Sequence, residues 1–316
     1  MSRLPDAAAP PARHSPSMSP TEWSLLGLLS LLWGGSYLFN SLAIREVPVF
    51  TVVAYRIVLG GLALHLALSV LRIPFPIDRL SIRAYAGMAI LNGAVPFSLI
   101  VFGQTLVPSG VASILNSTTP IFTMVIAHFL LRSERLDARR AMGVLLGFAG
   151  VVILFSDRLG QGTGQLLGLF ACLGASLSYG LSNVFGRTFI VPGAHPLALA
   201  AGQLTFAAVP LVPLCLLVDQ PFARPVPSWT AIGAMTGLGL LSTAVAYGLF
   251  FRILTRAGAT NVSLVTLLIP CSAILLATIF LGETLPGLAF LGLAVIASGL
   301  LVIDGRLLER LRQPLS

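Results

Sequence analysis

The chain is 316 residues long, 56% hydrophobic and 9% charged, with a net charge of +8 and a mean hydropathy of +0.94. Soluble domains carry about 25% charged residues, so this composition excludes a water-soluble globular protein and implies the lipid bilayer as the partner. It leaves no folded soluble region through which a basic chain could bind nucleic acid.

Residues 1–21 are rich in Pro, Ala and Ser and have no apolar core of a cleavable signal, so they are expected to form a disordered cytoplasmic tail. Ten apolar segments follow, at 23–44, 48–71, 82–104, 109–131, 138–156, 164–187, 194–218, 228–252, 259–281 and 285–304. Each is near the ~20 residues that a helix needs to cross a bilayer. The expected fold is therefore all-α and integral to the membrane, with ten transmembrane helices. It ends in a cytoplasmic tail at 305–316.

In the first segment Trp33, Ser36, Tyr37 and Asn40 share one helical face by their i, i+3, i+4, i+7 spacing. Trp33 lies about 15 Å into the segment by helix rise, too deep for the interfacial belt that Trp23 and Trp229 suit. An aromatic face with a few polar groups fits an amphipathic organic solute. The second segment carries Arg56, about 12 Å deep, where a charge is costly and functional by default. Its candidate partners are helix-end carbonyls, Glu46, Glu283 or a solute carboxylate. The third segment holds Asn92 and Pro96, where Asn92 is either a tie between helices or a cavity group.

The fourth segment reads Asn116, Ser117, Thr118, Thr119, Pro120. Proline removes a backbone hydrogen bond and kinks its helix, and the freed carbonyl must find protein or water. The polar run either lines a cavity or bonds its own backbone. The sixth segment supplies Tyr179, Ser182 and Asn183, the eighth Ser242, Thr243 and Tyr247, and the ninth Thr266 and Pro270. Glycines in the fifth segment (Gly143, Gly147, Gly150) and the tenth (Gly292, Gly299) allow close helix approach. That approach is read as packing within a monomer, with a homodimer contact as the alternative. The three cysteines, Cys172, Cys215 and Cys271, read as small buried hydrophobes.

All nineteen basic residues are Arg. With the N-terminus inside, fifteen fall in cytoplasmic segments and Arg45, Arg158 and Arg224 outside, which places both termini in the cytoplasm. The two halves also match. Segment 32–37 lies over 178–183, and 111–122 over 261–272, pairing Pro120 with Pro270; Glu134, Gly143 and Gly150 then match Glu283, Gly292 and Gly299. Residues 22–156 and 164–304 thus read as one five-helix unit used twice. An odd number of crossings inverts the second copy. Inverted repeats are an architecture of secondary transporters, with the site near the midplane between the halves, so a central cavity is expected there.

These features resemble the EamA family of the drug/metabolite transporter superfamily. The residues that carry the resemblance are Leu32-Trp33-Gly34-Gly35-Ser36, Tyr55-Arg56, and in each half a proline-bearing fourth helix ending in Glu before a Gly-rich fifth. The chain departs from the family at Arg132-Ser133. The resemblance is closest to bacterial amino-acid exporters and implies a multi-pass protein of the bacterial inner membrane. It implies export of neutral or aromatic amino acids by alternating access. A purine, a cofactor precursor or a drug is the alternative solute, and an intramembrane enzyme or scaffold is the reading of another class.

No Asp or Glu lies mid-segment, so a carboxylate proton relay is not expected. His65 and His128 read as packed helix residues, which leaves export without obligatory proton coupling. No zinc, Walker or nucleophile-elbow motif is present, so neither an enzyme nor a cofactor is expected.

Overall fold

The computed structural model describes residues 18–131, 136–156, 163–189 and 191–304. All regular structure among the described residues is helical. Helices satisfy every backbone donor and acceptor within one segment, which apolar surroundings demand. In chain order they are α1 (Pro20–Ala43), α2 (Val49–Val70), α3 (Arg79–Gln104), α4 (Ser109–Leu130), α5 (Ala138–Ser156), α6 (Thr163–Thr188), α7 (Pro196–Ala223), α8 (Trp229–Ala257), α9 (Val265–Leu281) and α10 (Gly287–Asp304). Among the described residues nine are long and apolar enough to cross a membrane, while α9 is apolar but shorter.

Local chemistry sets many of the ends. Ser19 and Glu22 form a capping box ahead of α1, with Pro20 in its first turn. Asp78 accepts from Leu80 N and Ser81 N at the start of α3, and Ser228 caps α8. Gly282, at φ +66°, closes α9 in the left-handed region open to glycine.

The main helix pairs recur when the halves are exchanged. α1 packs on α9 as α6 packs on α4, α3 on α6 as α8 on α1, and α2 on α8 as α7 on α3. α5 faces α10, α2 faces α7 and α4 faces α9. The matched glycines show the correspondence at atomic scale. A Cβ on Gly34 would lie 2.9 Å from Ala273 N beside Ser272, and one on Gly180 would lie 3.0 Å from Thr123 N beside Phe122. Those neighbours are the residues that the alignment of 111–122 with 261–272 leads to.

The glycines of α5 and α10 face each other within the chain. A Cβ on Gly143 would lie 2.7 Å from Gly299 O, and one on Gly150 2.7 Å from Gly292 O.

Three departures from the sequence expectation matter. First, α4 is broken by a turn at Ser117 and Thr118, so Pro120 sits in the first turn of the segment Thr119–Leu130 instead of kinking a continuous helix. Second, Pro270 lies inside continuous α9; the break in that half falls earlier, at Ser263 and Leu264, after the single turn Ala259–Val262. The broken helices are therefore duplicated, but their breaks are not at matching depth. Third, the closest duplicated irregularity lies in the third helix of each half. α3 passes through a π turn at Ala89–Ala94 and α8 through one at Leu240–Val245. π turns are rare and frequent at functional sites. Glu134, the matched partner of Glu283, lies outside the described residues.

One end of the bundle carries Arg72, Arg79, Arg83, Arg139, Arg140, Arg187, Arg252 and Arg256, while the other carries Arg45 and Arg224. The core forms two clusters, and Tyr179 packs against both.

Candidate functional site

Arg56 is the centre of the polar interior. It is 7% exposed on α2. Its Nε donates to Thr243 Oγ1 at 3.0 Å, and its guanidinium carbon lies 4.0 Å from the centroid of the Phe97 ring. The π turn of α8 brings Thr243 to this position, where its hydroxyl donates onward to Leu238 O at 2.8 Å. The side chains of Tyr37, Tyr179 and Tyr247 lie within electrostatic range of the guanidinium. Neither Nη has a hydrogen-bond partner among the described residues. The aromatic face and the hydroxyl offset part of the desolvation of a buried cation. They leave four N–H donors for something else. The protein partners considered from sequence are committed elsewhere: Glu46 accepts from Ser228 N and Oγ, and Glu283 from Ser109 N and Gly110 N.

The π turn of α3 presents the counterpart. Asn92 Nδ2 donates to Gln203 Oε1 and to the Tyr247 hydroxyl, each at 3.2 Å, and Asn92 Oδ1 accepts from Ser182 Oγ at 3.3 Å. Gln203 Nε2 donates to the same tyrosine hydroxyl at 2.6 Å. Asn92 is therefore a tie, joining α3, α6, α7 and α8. The arrangement repeats across the halves: α2 reaches the π turn of α8 through Arg56, and α7 reaches the π turn of α3 through Gln203.

The other residues expected at a site divide into two groups. Trp33 lies 5.5 Å, centroid to centroid, from Phe250, and Tyr37 is buried beside the Asn116 amide. Asn116 Oδ1 is buried without a hydrogen-bond partner. Tyr37, Asn116, Tyr179, Tyr247, Thr243 and Asn92 surround or adjoin the Arg56 cluster, and Trp33 shares a core cluster with Tyr37 and Tyr179. In the second group, Ser36 donates to Trp33 O, Ser117 to Ile114 O, Thr118 to Leu115 O and Ser242 to Leu32 O. Those hydroxyls are spent on backbone. Thr119 Oγ1 bonds Asn116 O at 2.8 Å, the carbonyl that Pro120 cannot serve. Asn183 ties α6 to Thr123 on α4 at 3.1 Å. Thr266 sits half-buried in the first turn of α9, and Pro96 is buried just after the π turn of α3. His65 bonds Thr205 at 2.8 Å and His128 accepts from Leu136 N at 3.1 Å, both as packed helix residues.

Sequence reasoning missed Gln203, Gln104 and Phe97. The glutamines carried a usable signal, since an amide inside an apolar segment is as costly as Asn92; Phe97 carried none among 18 phenylalanines. Gln104 is 7% exposed and fully engaged: its Oε1 accepts from Asn40, and its Nε2 donates to Tyr37 O, Ser41 Oγ and Ser109 Oγ.

The midplane polar groups bond one another into a connected network. Two cavities open at the arginine-poor end. One of about 480 Å³ is mostly apolar, between the start of α2, the second half of α3 and Asp219. The other, of about 310 Å³, is bounded by the ends of α1, α3 and α9.

Three carboxylates close this same end, each from one half onto a helix start of the other. Glu46 reaches the start of α8 through Ser228 at 2.7 and 2.6 Å. Asp219 accepts from Thr51 N and Oγ1 at the start of α2, at 2.7 and 2.9 Å. Glu283 takes Ser109 N and Gly110 N at the start of α4, at 3.2 and 3.3 Å. A carboxylate at a helix N-terminus meets free N–H groups and the positive end of the dipole. The two bonds from Ser228 hold the Glu46 carboxyl below its ordinary range. A carboxyl depressed by folding stabilises above its unfolded pKa, and that contribution is lost as pH falls through the folded one. Glu46→Gln is therefore expected to be less heat-stable than the native chain near neutral pH. The difference should close as pH is lowered below the usual carboxylate range, as followed by thermal melts in detergent.

The model of the family described as "EamA-like transporter family" matches residues 21–156 and again 166–304. The chain is 28% identical to the "Uncharacterized transporter YoaV" of Bacillus subtilis over 87% of this chain and 94% of the relative. It is 26% identical to the "Probable amino-acid metabolite efflux pump" of Escherichia coli, covering 90% of this chain and 95% of the relative. A solved crystal structure of a protein covers 92% of this chain and 99% of its own at 22% identity, with a TM-score of 0.61, a likeness of fold alone.

Proposed function

The chain belongs to the EamA-like transporter family and is a multi-pass inner-membrane transporter, and we propose that it exports neutral or aromatic amino acids by alternating access. The observation that carries this reading is Arg56, a buried guanidinium whose Nη groups have no partner among the described residues and whose surroundings are Phe97 and three tyrosines. A carboxylate completes such a cation bidentately, and the aromatic walls suit an apolar side chain. Asn116 Oδ1, buried and unpartnered, offers an acceptor for an ammonium group. The efflux-pump name of the Escherichia coli relative agrees with the solute class.

In this reading α9, with the turn before it, is the tenth crossing helix, and the arginine-rich end with both termini faces the cytoplasm. Trp33, Tyr37, Tyr179 and Tyr247 wall the solute, while Asn92, Gln203 and Thr243 hold the walls in place. The polar interior uses amides and hydroxyls in place of mid-helix carboxylates, which supports transport without obligatory proton coupling. No enzymatic step and no cofactor enter. The working unit is a monomer, since the α5 and α10 glycines are used against each other inside one chain.

Counterflow in proteoliposomes tests the proposal. Phenylalanine and leucine trapped inside should drive uptake of the labelled solute, with the same rate whether or not a pH gradient is imposed. Folded protein that exchanges no amino acid would remove the solute class, and a rate that follows the gradient would remove the uncoupled mechanism.

A further inference from the structure

We propose that the cavity of about 310 Å³ at the arginine-poor end is a second solute site, distinct from the Arg56 cluster and built for a zwitterion. The inference rests on the amino-acid reading above. Its lining includes Ser41, Arg45, Gln104, Thr105, Leu281 and Glu283. One cation and one anion therefore share a single small cavity, which is near the lower size limit of small-molecule sites.

Arg45 makes no hydrogen bond or ion pair with the described residues, so its donors are available to a ligand. Glu283 accepts one backbone N–H on each carboxylate oxygen, which leaves lone pairs free for a further donor. Between them lies Gln104, held from four directions by Asn40, Tyr37, Ser41 and Ser109, a rigid polar floor. A simple anion is repelled by Glu283 and a simple cation by Arg45. A solute carrying both charges on adjacent atoms meets Arg45 with its carboxylate and Glu283 with its ammonium.

The site also adjoins the core through one hydrogen bond. Gln104 Nε2 bonds the carbonyl of Tyr37, whose side chain belongs to the Arg56 cluster. Glu283 is at the same time the link from the end of α9 to the start of α4. An ammonium on the free lone pairs of its carboxylate draws charge from the bonds that Ser109 and Gly110 donate and weakens them. A solute at this station therefore loosens the tie between the halves at the end where it leaves.

Thr105→Cys places a reporter thiol on the exposed rim of the cavity. It is labelled with a membrane-impermeant methanethiosulfonate in intact cells, against the unsubstituted chain as background. Three solutes of one shape compete: phenylalanine, 3-phenyllactate and phenylethylamine. Phenylalanine should slow labelling at concentrations at least about five-fold lower than either single-charge analogue, the difference that one exposed ion pair supplies. Arg45→Gln and Glu283→Gln should each remove that preference. The same protection should persist with Arg56→Gln, whose core site is lost. Equal protection by all three solutes, no protection, or protection that vanishes with Arg56→Gln would overturn the second site. Failure of the amino-acid reading appears separately, as absent counterflow in the native chain.

Discussion

Arg56→Gln is expected to reduce amino-acid counterflow by about 30-fold or more, the loss that accompanies removal of one member of a buried, hydrogen-bonded charge pair. Two features of the site set this size. The guanidinium is enclosed by Phe97 and Thr243, so a carboxylate bound to it is screened little by water. Glutamine keeps a hydrogen-bond donor for Thr243 but gives up both the charge and the planar fork. Arg56→Lys separates charge from geometry. It retains the charge yet cannot offer parallel N–H groups, and should fall between the native chain and Arg56→Gln. Flux in proteoliposomes, normalised to monodisperse protein, reads the effect. Native rates in Arg56→Gln would show that the buried cation only holds α2 to α8. Thr243→Val should act in the same direction and more weakly, since it frees the guanidinium to turn without removing it.

Gly299→Leu is expected to have the largest effect on stability. A Cβ at this position would lie 2.6 Å from Gly143 O and 2.8 Å from Gly147 N. Those are backbone atoms of the facing helix and cannot rotate away, so α5 and α10 must move apart along their contact. Overpacking of this kind costs about 1–3 kcal/mol, and the cost rises as the glycine contact at Gly150 and Gly292 is lost with it. The melting temperature and the folded yield in detergent should both drop. By contrast, Gly233→Ala should lower neither, because nothing lies within 4 Å of the added Cβ and alanine is the better helix former. An unchanged melting temperature in Gly299→Leu would mean that the two helices are free to separate.

Much of this architecture is legible in the sequence because it rests on apolar length and on duplication. The match of 32–37 with 178–183 places Gly34 and Gly180 against equivalent atoms of α9 and α4. Arg56 stands out because charge is rare in such segments. The π turns leave no distinct mark: residues 89–94 and 240–245 show Asn92, Ser242 and Thr243, but nothing that tells a π turn from an α-helix. Their effect is large all the same, since they orient Asn92 and Thr243. The breaks were misplaced for a related reason. Proline marks where a backbone donor is missing, but α4 breaks at Ser117 and Thr118 and the chain ahead of α9 at Ser263 and Leu264, before the proline in both cases. Several hydroxyls read as candidate solute contacts, Ser117 and Thr118 among them, turn to their own backbone, because a helix carbonyl one turn back is always within reach.

The three acid caps that join the halves at the arginine-poor end have unequal counterparts. Only Glu283 is matched in the other repeat, by Glu134, whereas the positions equivalent to Glu46 and Asp219 are not acidic. In the proposed alternating-access cycle, unequal ties of this kind would make one face harder to open than the other when the carrier is empty. For uncoupled exchange this asymmetry cannot concentrate a solute, because a closed cycle returns every free energy it borrows. It can only divide the waiting molecules unevenly between the two faces. Half-saturation should then differ on the two sides of the membrane while the maximal rates differ in compensation, so that their ratios agree. Weakening one cap should move both half-saturation values in opposite directions and leave the final distribution of solute where it was.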